Sequence, residues 1–279
     1  MRILVLSPFG ETEPYGEENL KTVARADVEF SFESLKEVFP LPYNTYRYNV
    51  LKCTDAAVER IVKAEREGYD AVVLSCMYDP GLFEAREVVD IPVMGTLEAS
   101  GLVCMMMGQM FSIVCPEQVV TSVLRRTIDA YGFTPRCASL RHIDVVACDL
   151  YPDRTPTDEI MRRLVEVGRK CVEDGAEILI PGCSIIGALY TKAFGRDPVE
   201  VIGVPVLDPQ LVAFKMAEMM VDLRVKAGYP AVSRIGMWKK QPRQEFLYLR
   251  EWLASHKPAL NYYHRELGAK EEPGKAKQV

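Results

Sequence analysis

One unit is written twice in this chain. EREGYDAVVLSC, ending at Cys76, is answered by VEDGAEILIPGC, ending at Cys183, so that Gly68 and Cys76 each recur 107 positions later, at Gly175 and Cys183. In both copies a helical pattern stops at glycine, an acidic residue follows two positions on (Asp70, Glu177), an apolar strand comes next, and cysteine closes it. The leading strands repeat as well. ILVLSP ends at Pro8 and FSIVCP at Pro116, 108 positions apart, and IPV at Ile91–Val93 is echoed by VPV at Val204–Val206. Correspondences in one order point to a duplicated α/β lobe, and such a duplication brings one thiol from each copy to a shared cleft.

The rest of the pattern fits that frame. Strands are predicted at Ile3–Leu6, Val28–Phe32, Ala71–Ser75, Val93–Met94, Phe111–Val114, Ile178–Ile180 and Val201–Val206. Most are short continuous apolar runs, the signature of parallel strands covered on both faces. Thr54 is placed to cap a helix with the stripe Ala57, Val58, Ile61 and Val62, and Gly68 supplies its left-handed stop. In the second copy Thr155 and Pro156 open a helix with the stripe Ile160, Met161, Leu164, Val165 and Cys171, closed by Gly175. Strands alternating with helices predict parallel sheets with right-handed crossovers. The expected fold is α/β, with two pseudo-symmetric lobes, each a parallel-sheet α/β sandwich, and the active site in the cleft between them. The repeat sets the expected boundaries: 1–97 with 208–228 for the first lobe and 98–207 for the second. A helix over Pro209–Lys226 then returns to the first lobe. Residues 229–279 are read as an arm, an amphipathic helix over Gln244–Ser255 and a charged tail. That helix, with Phe246, Tyr248 and Trp252, has no counterpart in the repeat and serves either as a packing strap or as a contact in a possible homo-oligomer.

Composition removes several classes of function. With 279 residues, 48% of them hydrophobic, the chain can fill two cores. A net charge of −5 with scattered lysines and arginines argues against a nucleic-acid partner, which needs a concentrated basic surface. The apolar runs are short and Met1 leads straight into a strand, so the expectation is a cytoplasmic protein with neither signal peptide nor membrane span. Eight cysteines without a Cys-x-x-Cys pair, and histidines 142, 256 and 264 without ligand spacing, predict free thiols and no metal site. The six cysteines besides Cys76 and Cys183 read as small buried hydrophobes.

In parallel α/β sheets, ligands gather beyond the carboxyl ends of the strands, where helix N-termini present free amides. Both Cys76 and Cys183 fall there. Asp79 is expected to cap a helix starting at Pro80, and Ser184 one over Ile185–Phe194. Two thiols approaching opposite faces of a bound molecule suit removal of a proton from one face of a carbon and delivery to the other. No cofactor is then required, provided adjacent carbonyls acidify the carbon and the enolate is stabilised.

The segments YDAVVLSCMYDPG (69–81), AREVVDIPVMGTLEAS (85–100), GAEILIPGCSIIG (175–187), VIGVPVLDP (201–209) and SRIGMW near Ser233 resemble the Asp/Glu/hydantoin racemase superfamily, and within it the hydantoin and allantoin racemase branch. The resemblance covers roughly residues 1–245. It implies that Cys76 and Cys183 are a paired acid and base, with Phe9, Gly10, Met77, Tyr78, Ser184 and Ile185 along the pocket of a small-molecule substrate. Where the family usually carries Asn-Pro-Asn after the first strand, this chain has Ser7-Pro8-Phe9-Gly10, and bulkier Ile185 and Ile186 replace small residues after the second cysteine. Both departures narrow the expected pocket. The implied activity is a cofactor-independent racemase or epimerase acting on a 5-substituted hydantoin or related compound. Alternatives are a maleate-type cis-trans isomerase or decarboxylase of the same superfamily using a catalytic cysteine, and a non-enzymatic ligand-binding protein of the same fold.

Overall fold

The computed structural model describes residues 1–9, 16–35, 45–151, 154–195, 199–240 and 242–255. They form an α/β fold with two parallel sheets. In the first, β1 (Arg2–Ser7), β2 (Glu29–Ser34), β3 (Ala71–Leu74) and β4 (Val93–Gly95) pair in the order β2-β1-β3-β4. In the second, β5 (Phe111–Cys115), β6 (Cys137–His142) and β7 (Ile178–Pro181) pair in the order β6-β5-β7.

The repeat holds at the level of single hydrogen bonds. Ile3 faces Ala71 in one sheet and Phe111 faces Ile178 in the other. Ser75 N–H donates to Leu6 O at 2.8 Å, and its counterpart Gly182 N–H to Val114 O at 2.7 Å. Leu35 N–H donates to Ser7 O at 3.1 Å and Ile143 N–H to Cys115 O at 3.1 Å. The acidic residues of the repeat also acquire a role. The Asp70 carboxylate accepts from Arg2 N–H at 2.7 Å and the Glu177 carboxylate from Gln109 N–H at 2.6 Å, each fastening the lead-in of its sheet's first strand.

The described helices are α1 (Glu17–Val23), α2 (Arg47–Arg66), α3 (Leu82–Val88), α4 (Thr96–Met107), α5 (Gln118–Ala130), α6 (Thr157–Glu173), α7 (Ser184–Phe194), α8 (Val199–Ile202), α9 (Pro209–Lys226) and α10 (Arg243–Ser255). Two of them cross between the sheets. Leu97 and Cys104 of α4, which follows the first sheet, pack with Phe111, Ile113, Ile178 and Ile180 of the second. Ala213, Phe214, Ala217 and Val221 of α9 pack on Ile3, Val5, Ala71 and Val73 of the first. The chain from Gly228 to Trp238 is a loop-like arm, as its composition predicts. Arg234 in it donates to Arg86 O at 2.7 Å and to the Asp90 carboxylate at 2.7 Å, and the Trp238 ring lies 5.5 Å from the Arg86 guanidinium. The described residues after Trp238 belong to a second unit, in which α10 covers the predicted amphipathic helix. Among the described residues no helix is long and apolar enough to cross a membrane.

Several local expectations are corrected. Val201–Val206 is not a strand: α8 takes its first half, Gly203 turns the chain at φ +105°, and only Val206 bridges to Leu179. Ile202 is buried as a helical residue, close against Gly168 of α6. Thr54 does not cap α2, which starts about two turns earlier. Its hydroxyl donates back to Val50 O at 2.9 Å, an option threonine keeps inside helices. Helix α6 begins at Thr157 with Pro156 at the N-cap, so Thr155 is not its cap. Strand β6 lies in a stretch read only as sequence between elements.

Candidate active site

Cys76 and Cys183 leave the carboxyl ends of β3 and β7 at equivalent points, and both are free thiols that keep a partial opening to solvent. Beyond that point the two loops differ. Cys183 is itself the N-cap of α7; its side chain makes no cap hydrogen bond there, but the amides of Ile185 and Ile186 at that helix start pull its thiol downward. Ser184 is therefore the first residue of that helix rather than its cap. Cys76 stands six residues before α3 and receives one backbone bond, from Tyr78 N–H at 3.5 Å. Protein encloses both sulfurs, and this desolvation pushes both thiols above their ordinary range, against the pull of those amides. For Cys76 the neighbouring charges of Cys183, Asp79 and Cys53 push in the same direction. The pair therefore holds one negative charge far more readily than two.

Aromatic side chains line the space beside Cys76. Phe9, 4% exposed, meets the Tyr78 ring edge-on at 6.5 Å, and both cluster with Val50, Cys53, Cys76 and Tyr151. Tyr151 also packs on the second-sheet core that Cys183 borders, so it connects the surroundings of the two thiols. The hydroxyls of Tyr78 and Ser184 are buried and have no hydrogen-bond partner among the described residues. Burial, and then the two thiols, raise the Tyr78 phenol, so it stays protonated and able to donate.

The other expected pocket residues are placed as follows. Met77 turns inward, packing with Leu97, Phe111 and Ile113. The Ile185 and Ile186 side chains join the core formed with Leu189, Tyr190 and Ile202. Gly10 lies outside the described residues. The structure adds side chains that sequence reasoning did not single out. Gln210, fully buried in the first turn of α9, donates to the Ser75 hydroxyl at 3.0 Å, next to Cys76. Asp208 caps α9 by accepting from Gln210 and Leu211 N–H, and takes a third bond from Thr191 at 3.1 Å. The Asp-Pro pair at 208–209 carried this signal, being the cap and first helical position of a helix that was itself predicted.

Asp79 is a cap, but of a different helix from the expected one. Its backbone is left-handed (φ +46°), α3 waits until Leu82 behind Gly81, and the Asp79 carboxylate accepts from Leu97 and Glu98 N–H at the start of α4. Tyr131 Oη donates to it at 3.0 Å.

Comparison with known proteins identifies relatives of the chain and of its fold. The family model for Asp/Glu/hydantoin racemase matches residues 23–217. A hydantoin racemase from Pseudomonas sp. (strain NS671) is 31% identical over 227 residues, covering 81% of this chain and 86% of that protein. Allantoin racemases share the fold. The structure from Klebsiella pneumoniae superposes with a TM-score of 0.71 at 24% identity, covering 87% of this chain and 94% of the other. That from Pseudomonas fluorescens gives 0.70 at 23% identity, covering 87% and 97%.

Proposed function

The chain belongs to the Asp/Glu/hydantoin racemase family and is an isomerase of the racemase kind; from that premise we propose that it racemizes a 5-substituted hydantoin or a related cyclic ureide, with Cys76 and Cys183 as its two acid–base groups. The observation that carries the reading is the pair of desolvated thiols at repeat-related strand ends, whose surroundings meet at Tyr151. A site of low dielectric, in which one sulfur is charged and the other protonated, is the state that a two-base reaction uses.

In the proposed step the thiolate takes the proton from the ring carbon between carbonyl and nitrogen. The C–H electron pair moves into the carbonyl as an enolate, and the opposite thiol returns a proton to the other face. The charges on sulfur exchange and the ring is otherwise unchanged. Cys183, at the N-terminus of α7, is the thiol that ionises first, and Cys76, raised by burial and by the charges around it, is the one that stays protonated. The partnerless hydroxyls of Tyr78 and Ser184 supply donors to the ureide oxygens. Phe9 and Tyr78 form one wall beside the ring or its substituent, Met77 backs the first loop, and Ile185 borders the second. No metal or organic cofactor takes part.

The test is incubation with single enantiomers of several 5-substituted hydantoins, allantoin among them, in deuterated water after exhaustive chelation. Loss of optical rotation with deuterium entering at one carbon is the expected result. No exchange across the panel, or activity that returns only with added metal, would reject it.

A further inference from the structure

The carboxylate of Asp79 joins parts of the molecule that the chain keeps far apart. Its own N–H donates to Cys76 O at 2.9 Å, closing the turn that carries the thiol. Its oxygens accept from Leu97 N–H at 3.1 Å, Glu98 N–H at 2.9 Å and Tyr131 Oη at 3.0 Å, with Thr96 Oγ1 at 3.5 Å. Those partners sit at the start of α4 and the end of α5, helices whose Leu97, Leu124 and Ile128 are buried with the second sheet. At the corresponding helix start, α9 is capped by its own Asp208, whereas α4 has Gly95 at its N-cap, with no side chain to offer. A Cβ on Gly95 would stand 2.5 Å from the Asp79 carboxylate. The first thiol loop thus fills the place of a missing cap.

We infer that Asp79 is a positioning residue, a strut that fixes the Cys76 loop against the second lobe and so sets where the Cys76 thiol stands relative to Cys183. A residue serving only as a helix cap would lie on its own helix, as Asp208 does. This one holds a left-handed backbone conformation, disfavoured for a side chain with a Cβ, to reach across. Its surroundings also couple its charge to pH. Burial pushes the carboxyl up to about 7 against the pull of the two amides and the tyrosine, and the Glu98 carboxylate adds to the rise. The Arg86 guanidinium, paired with Glu98, and the Cys76 thiol are the other ionisable groups at this junction. Above neutral pH the strut is charged and accepts its bonds fully; below it the grip slackens.

The inference rests on the reading of Cys76 as an acid–base thiol, and its test keeps the two apart. Asp79→Asn places amide hydrogens against N–H and O–H donors, while Gly95→Ala displaces the carboxylate and keeps its charge. Tyr131→Phe removes one bond and serves as the mild variant should either of the others fail to fold. Each is alkylated with iodoacetamide from pH 6 to 10, with Cys76 and Cys183 followed separately by peptide mass spectrometry, and is assayed on the hydantoin that the wild type turns over. Displacing a group that orients a reacting atom costs up to roughly a hundredfold in rate, so kcat should fall by about 10–100-fold in D79N and G95A, and severalfold in Y131F, with KM little changed. The Cys76 alkylation profile should move and that of Cys183 should stay. The wild-type rate should climb more steeply with pH below about 7 than above it, and D79N should remove that break. Unchanged kcat and Cys76 labelling in G95A would overturn the strut, as would equal shifts at both cysteines. Labelling needs no substrate, so a Cys76-selective change without turnover would reject only the proposed reaction.

Discussion

The two thiol loops begin alike and end differently. Both follow an apolar strand of four residues, and both are tied to the neighbouring strand by the same backbone bond, yet Cys183 enters a helix at once and Cys76 does not. The second cysteine stands at the N-cap of its own helix, where the amide field pulls on its thiol; the first takes one bond from Tyr78 N–H, and its loop spends the next residues reaching α4 through Asp79. Duplication thus supplied two equivalent positions, and divergence after the cysteine gave the two thiols different surroundings. In the proposed two-base reaction, a thiol that ionises before its partner readies the site for one enantiomer without preventing the return step.

The sharpest way to break this comparison is to remove one sulfur at a time. Cys76→Ser and Cys183→Ser should each reduce racemization by about a thousandfold or more, since a serine hydroxyl forms the base only at very high pH. Cys76→Ser, retaining the better thiolate, should still exchange the proton of one enantiomer in deuterated water, and Cys183→Ser should exchange less. Turnover at the wild-type rate by either variant would end the pairing. Acidity provides the next test. Both thiols are raised by burial, so the thiolate fraction grows with pH, and kcat/KM should climb roughly tenfold per unit from about pH 7.5 to 9. A flat profile over that range would mean a thiolate already formed at neutrality.

Smaller effects separate packing from pocket in the second loop. Ile186 is fully buried in the second core, so Ile186→Ala should destabilise by about 2–5 kcal/mol, with the ranking of small against large hydantoins unchanged. Calorimetric melting and competitive rates on the same protein decide it, and a changed ranking would return the residue to the pocket. Asp208→Ala should cost about 0.5–2 kcal/mol, as loss of a helix cap does. It should leave the Cys183 alkylation profile in place, in contrast to what Asp79→Asn does at Cys76.

The repeat made most of the architecture legible. Gly68 and Gly175 stop their helices in left-handed conformations, the apolar runs before both cysteines are strands, and α9 spans the residues expected of it. It could have shown more. Strand β6 lies 108 positions after β2, residue for residue, and was missed because CASLRH is a half-buried edge strand without a continuous apolar run. The segment at 201–206 failed in the opposite sense: Ile202 and Val204 are buried, but Gly203 and Pro205 leave room for only one bridge.

What the sequence determined alone are features set within a few residues or by an offset along the chain: glycine stops, apolar strands, an Asp-Pro helix start, and two cysteines at matched strand ends. What only the tertiary structure decided are partnerships between distant segments. That Asp79 caps α4 instead of α3, that Tyr131 meets it from 52 positions away, and that Phe9, Cys53 and Tyr151 gather around Cys76 cannot be read from local pattern. Propensity and periodicity report on neighbours in the chain, whereas a buried carboxylate takes whichever donors the packed lobes bring within reach.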